Sequence, residues 1–279
     1  MARRPTYESV IADAIADFVE HGFDSEERLE FWTERIREVA IECLGSYGDT
    51  EKAVRDALTK IFTESVDKNG VLKFAPGVSA FQLKMMRPEL YEELNRRIYA
   101  ATDLIKLDRP QAVAKTLQRF QGWATSIPKG GSDITKRGEQ KVEIKKALAQ
   151  LPYVQRRVII DQSAKLFSSI NTTVAVNGGA IGAVWQSHKH QRDYNGRPKH
   201  NARDGHYFLV PGSWADKAGY IKRGSYPWTD SIEQPGEFVY CRCRWQYVFS
   251  LRTLPSDALT KAGQEALAEA RRKIAASKS

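Results

Sequence analysis

The chain has 279 residues, 42% of them hydrophobic and 28% charged, a balance that fits a folded globular protein and excludes wholesale disorder. Its formal charge of +9 points to an anionic neighbour, nucleic acid above all, because a basic surface gains from counterion release. Three cysteines make no disulfide framework, so a reducing cytosol is expected, and no apolar run suits a signal peptide or a membrane span.

From about Thr6 to Lys165 the pattern is helical. Tyr7, Ile11, Ala14, Ile15 and Phe18 recur at helix spacing. Asp24 with Glu27 predicts a capping box, opening a helix whose buried face is Leu29, Trp32, Ile36, Val39 and Cys43, the last read as a small buried hydrophobe. Gly45 and Gly48 end it, and Thr50 is expected to cap a helix burying Val54, Leu58, Ile61 and Phe62. Pro88 and Pro110 each suit a first helical turn, where the missing N–H costs nothing. Pro128 to Gly138 reads as a solvated hinge loop. Its glycines and lysines lack the spacing of a phosphate-cradling loop. Glu139 to Leu151 and Tyr153 to Ile170 are predicted as two further helices.

After Asn171 the grammar changes. Thr172, Thr173, Val174 and Val176 are β-formers, and Asn177-Gly178-Gly179 is a turn signal. Ala183 to Trp185, His206 to Val210, Tyr220 to Lys222 and Phe238 to Phe249 are predicted strands. Alternation in the last places Cys241 and Cys243 on one face and Arg242 and Arg244 on the other. Ser256 is expected to cap a closing helix that ends in Arg271-Arg272-Lys273. The whole reads as α+β: a helical region over 1–150, a small β-rich module with long loops over 151–252, and a basic helix or tail over 253–279.

Trp185 to Cys243 holds four of the five histidines and two of the three cysteines. His200, His206, Cys241 and Cys243 supply the donors of a tetrahedral zinc site. The alternative is that the thiols pack as small apolar groups while the histidines bond loop backbone. A nuclease or other hydrolase is a second reading, with His188, His190 and Asp193, or His206 beside Asp204, as metal holders or bases. The segment has no tight acidic cluster for magnesium, and Ser187 and Ser213 sit in no nucleophile elbow. No catalytic residue is therefore assigned, and a non-enzymatic role is expected. Eleven Lys/Arg against six Asp/Glu lie between Ile181 and Arg252, interleaved with aromatics. Arg192, Arg197, Lys199, Arg203, Arg242 and Arg244 are the candidate contacts to nucleic acid or a protein partner.

Trp185-Gln186-Ser187, Arg197, His200, Asp204-Gly205, the strand from His206 to Val210, Pro227 and Cys241-Arg242-Cys243 follow one another in an order that resembles a known pattern. It is that of the C-terminal module of the phage Mu F-like head morphogenesis proteins, minor capsid proteins of tailed bacteriophages. Trp185, Asp204 and Gly205 carry its signature. The resemblance covers roughly 155–250, including the preceding helix with Asp161-Gln162-Ser163. Where the family often has an acidic residue after the tryptophan, this chain has His188-Lys189-His190. The resemblance implies a virion protein assembled in the host cytoplasm, with portal or capsid proteins and double-stranded DNA as partners, acting in packaging or genome delivery.

Overall fold

The structure is a computed structural model that describes residues 5–131, 139–188 and 196–276. Nine α-helices and three strands are assigned among them: α1 Tyr7–His21, α2 Glu26–Leu44, α3 Tyr47–Phe62, α4 Ala80–Ala124, α5 Glu139–Leu148, α6 Tyr153–Asn177, β1 Gly182–Gln186, α7 Pro198–Ala202, β2 Tyr207–Leu209, α8 Trp214–Lys217, β3 Arg244–Val248 and α9 Lys261–Ala276. A long helical front followed by a small antiparallel sheet and a closing helix is the α+β class expected.

Two compact units form, each from two stretches of chain. One comprises Met1–Arg55 with Ile98–Ile159, the other Asp56–Arg97 with Ile160–Ser279. The partition falls inside α3, α4 and α6, so it cuts across the linear division at 150 and 252. In the first unit, Tyr7, Val10, Ile11, Ala14, Ile15 and Phe18 of α1 meet Ile36, Val39 and Ala40 of α2 and Leu117, Phe120 and Ala124 of α4 in one apolar core. Phe18 and Phe120 pack edge to face at 5.7 Å. The entry to α2 is capped by Ser25, whose hydroxyl accepts the Arg28 N–H at 3.2 Å, one residue later than the expected Asp24 cap. Cys43 is exposed, which corrects its assignment to the buried face.

Several helix boundaries differ from the predicted ones. α3 starts at Tyr47, so Thr50 lies inside its first turn, and Ser46, accepting the Asp49 N–H at 3.0 Å, takes the capping place expected of Thr50. α4 runs unbroken through Pro88 and Pro110. An interior proline costs a helix roughly 3 kcal/mol. Leu83, Leu90 and Leu94 around Pro88, and Ile105, Val113 and Leu117 around Pro110, are all buried and offset that cost. α6 likewise continues to Asn177, through the run Thr172, Thr173, Val174 and Val176. Ile170, Asn171, Val174 and Ala175 are buried at helical spacing, and this packing outweighs the β-branched preference.

In the second unit the sheet has the order β2-β1-β3, with both pairings antiparallel. Ala183 faces Phe208, and Trp185 faces Trp245. The outer edge of β3 is engaged by Phe74, whose carbonyl accepts the Tyr247 N–H at 2.9 Å. α6 braces the strand, with the Asn171 amide donating to the Trp245 carbonyl at 2.9 Å and the Tyr247 hydroxyl donating to Thr172 at 3.0 Å. Ile181, Leu209, Ala215, Ile221, Val248, Leu251 and Leu259 form the apolar core here. The predicted strand at Tyr220 to Lys222 reduces to one bridge, Ile221 with Leu259. The closing helix starts at Lys261; Ser256 instead opens a short 3-10 turn, Ser256–Ala258.

Candidate metal centre

β3 is shorter than the alternation suggests. Residues 238–243 precede it in a turn and an extended stretch, with Tyr240 in the left-handed region at φ 62°. The alternation nevertheless survives in burial: Cys241, Cys243, Trp245 and Tyr247 point inward, while Arg242 and Arg244 are exposed. Two-residue periodicity needs only an extended backbone, not a paired one.

The inward side of this stretch meets α7. His200, 4% exposed, lies with Cys241 and Cys243, 1% and 8% exposed, in a buried cluster whose donor atoms are all within 4.8 Å of one another. The His200 Nδ1 is 3.6 Å from each sulfur. The cluster can hold a metal ion. Its walls are aromatic. The Trp185 ring stands edge-on to His200 at 5.3 Å and to Trp245 at 5.0 Å, and Phe238 closes the other side of His200 at 5.6 Å.

The two thiols are not equivalent. A hydrogen bond from Cys243 holds the Cys241 thiol down to about 5 against the opposing effect of burial, helped by the backbone N–H groups of Gly236 and Cys243 and by His200. Cys243, the donor of that bond and itself buried, is pushed up. The two thiols are thus shifted in opposite directions, the charged form being favoured at Cys241 over Cys243.

The signature residues support this centre from behind. The Trp185 carbonyl accepts the Gly205 N–H at 2.8 Å, with Gly205 at φ 78°, and the Asp204 carboxylate accepts the Ser187 N–H at 2.7 Å. These bonds close the β1–β2 connection and set the distance from Trp185 to α7. Arg197 is the N-cap residue of α7. Its guanidinium donates to the Val239 carbonyl at 3.1 Å and covers the Phe238 ring at 4.9 Å.

Of the four proposed metal donors the fold brings together three. His206 is exposed at the start of β2 and lies outside the cluster, because its neighbour Gly205 turns the chain and directs the ring to solvent. His190, Arg192 and Asp193 fall outside the described residues. The candidate contact residues divide by role. Arg203 is half-buried, pairs with Glu233 at 2.6 Å and covers the Trp185 ring at 5.3 Å, so it serves the module's interior. Arg244 is exposed but covers Phe74 at 4.8 Å and donates to Gln186. Lys199 and Arg242 are exposed.

Two surface features escaped the sequence reading. A groove of about 800 Å³ in the second unit is lined by Glu89, Glu93, Arg97, Lys165, Ser169 and Thr172, with Glu93 and Arg97 paired along α4 and Lys165 paired with Asp161 along α6. A cleft of about 480 Å³ in the first unit carries Lys115, Arg119, Gln150, Tyr153 and Arg157. On a helix such residues look like an ordinary solvated face, and periodicity cannot separate the two. No protein-family model, curated protein or solved structure matches this chain.

Proposed function

We propose that this chain is a minor virion protein of a tailed bacteriophage, acting in head morphogenesis at or near the portal. The observation that carries the reading is the convergence of the Mu F-like pattern. Of that pattern, Trp185, His200, Cys241 and Cys243, spread over 59 residues of sequence, meet around one buried centre, with Asp204-Gly205 bracing it from behind and Arg242 exposed outside it. Side chains scattered by chance have no reason to share a core. The role is one of assembly, not turnover: the donors are buried and packed against aromatic rings, as the ligands of a structural centre are.

Zinc is the ion that two thiols and an imidazole favour, since soft and borderline donors select it over magnesium or calcium. Double-stranded DNA is the second partner, met by Lys199, Arg197 and Arg242 on the exposed side of the module and favoured by the charge of +9. The protein passes through the host cytoplasm and ends in the phage head, and the helical unit supplies the contact to portal or capsid proteins.

The test is whether the chain is retained in purified phage heads and co-purifies with the portal ring when both are expressed together. Retention in heads with portal capture is expected; a chain found only in the lysate, with no affinity for the portal, overturns the reading. For the DNA contact, affinity must fall steeply with salt, and charge-reversed Lys199 and Arg242 together should flatten that slope by about two.

A further inference from the structure

Two of the three donor separations are those an ion would require. Zinc–sulfur bonds of about 2.3 Å and zinc–nitrogen bonds of about 2.0–2.1 Å at a tetrahedral angle place sulfur and nitrogen about 3.5–3.6 Å apart. Both sulfur–Nδ1 separations in this chain are 3.6 Å. A common centre equidistant from the three donors accounts for both separations at once.

Charge points the same way. Two thiolates and a neutral imidazole neutralise a divalent cation, so a loaded centre places no net charge in a pocket whose three donors are each less than a tenth exposed. The sulfurs also have backbone donors: the N–H groups of Gly236 and Cys243 address Cys241, and that of His188 addresses Cys243. Backbone N–H groups aimed at sulfur are a second sphere that fixes thiolate ligands in place.

What the ion would join is equally specific. α7 is five residues long, too short to hold its place by its own hydrogen bonds. The segment from 238 to 243 makes no ladder with a neighbouring strand among the described residues. His200 comes from the first and both cysteines from the second. We infer that His200 Nδ1, Cys241 Sγ and Cys243 Sγ are three ligands of a structural zinc centre, and that zinc is the clasp without which α7 and the 238–243 segment do not stay docked on the sheet. Both thiols bind as thiolates, their protons passing to solvent, and His200 keeps its proton on Nε2. The inference rests on the zinc reading of the donor set above and is independent of any virion role.

The full-length protein, purified without added chelator, is assayed for bound metal, then stripped and titrated with cobalt(II) and zinc(II). One ion per chain is expected, with cobalt giving intense thiolate-to-metal charge-transfer bands and the strong visible bands of tetrahedral geometry. Stripping should lower the thermal midpoint by on the order of 10 °C, with zinc restoring it. The Cys241→Ser/Cys243→Ser variant should lose the cobalt spectrum, while Cys43→Ser and His206→Ala, altering exposed residues, keep it. Because the cysteine variant can fail to fold, the wild-type titration decides alone if it does. Tetrahedral binding with an unmoved midpoint overturns the clasp and leaves the zinc reading standing. A wild-type chain that is folded, metal-free and gives only the weak spectrum of aqueous cobalt overturns both.

Discussion

Asp161 on α6 accepts the backbone N–H of Tyr240 at 2.7 Å through one carboxylate oxygen and pairs with Lys165 at 2.8 Å through the other. Tyr240 is held with φ at 62°, immediately before Cys241. A non-glycine residue adopts that conformation only when its surroundings impose it. The carboxylate is therefore a peg that positions the turn delivering both cysteines. Asp161→Ala removes the acceptor of a half-buried N–H and the partner of a half-buried ammonium. Urea unfolding should show a loss of about 2–3 kcal/mol. Asp161→Asn, which retains an acceptor for Tyr240, should lose about half as much. Equal losses in the two variants would mean that the Lys165 pair, not the turn, is what Asp161 serves.

Arg109 performs a similar task in the first unit. It is 6% exposed and reaches the C-terminal end of α2, donating to the carbonyls of Leu44 at 2.6 Å and Gly45 at 3.0 Å and to the hydroxyl of Thr50. Its guanidinium also covers the Tyr47 ring at 4.5 Å. Helix ends leave carbonyls without partners, and a planar fork satisfies several at once while favouring the negative end of the helix dipole. Arg109→Ala should destabilise the protein by about 3 kcal/mol. Arg109→Lys should recover less than half of that, because an ammonium cannot span the same carbonyls. Full rescue by lysine, measured by thermal unfolding, would show that charge alone matters.

Much of this was legible in the residues, and the failures have physical causes. The apolar stripes of α1 and α2, strands β1 and β2, and the shared inward face of Cys241 and Cys243 follow from local periodicity, which the fold keeps. The continuation of α6 through Thr172–Val176 and of α4 through two prolines did not follow, because tertiary burial of Val174 or Leu90 overrides propensity and is invisible locally. His200 and His206 are alike in sequence context. Only the turn at Gly205 separates an inward imidazole from an outward one. Arg203 counted as a surface cation until its ion pair with Glu233, thirty residues on, came into view.

Glu93 predicts an acid sensitivity of the second unit. Burial pushes its carboxyl up, but hydrogen bonds from Arg97 at 2.8 Å and Arg96 at 2.7 Å outweigh this and hold it below the usual 4.5. A folded-state value below the unfolded one means the group stabilises the fold fully above about pH 4.5 and ceases to as pH falls through the lower folded value. Glu93→Gln should therefore be the less stable protein at neutral pH. Its deficit should shrink as the pH is lowered from about 4.5 through the lower folded-state value, as the wild-type carboxylate takes up its proton. A deficit that stays constant across that range would assign the loss to packing.

Two glycines separate conformational strain from steric exclusion. Gly205, at φ 78°, has nothing within 4 Å of where a Cβ would stand, so Gly205→Ala pays only for the left-handed backbone, about 1–2 kcal/mol, and Gly205→Asn less. Gly263 lies in α9, where alanine ordinarily gains about 1 kcal/mol over glycine. Here a Cβ would stand 2.4 Å from the Tyr220 carbonyl oxygen. That oxygen already accepts the Thr260 N–H at 3.0 Å, and the Thr260 hydroxyl both donates to the Gly219 carbonyl at 2.7 Å and receives the Gly263 N–H at 3.1 Å. Backbone atoms fixed by three hydrogen bonds cannot yield, so the first turn of α9 must lift instead. Gly263→Ala should reverse the usual sign and cost about 2 kcal/mol, seen in denaturant midpoints and in faster amide exchange at Thr260 and Gly263. A stabilised Gly263→Ala protein would show that α9 does not sit this close to Tyr220.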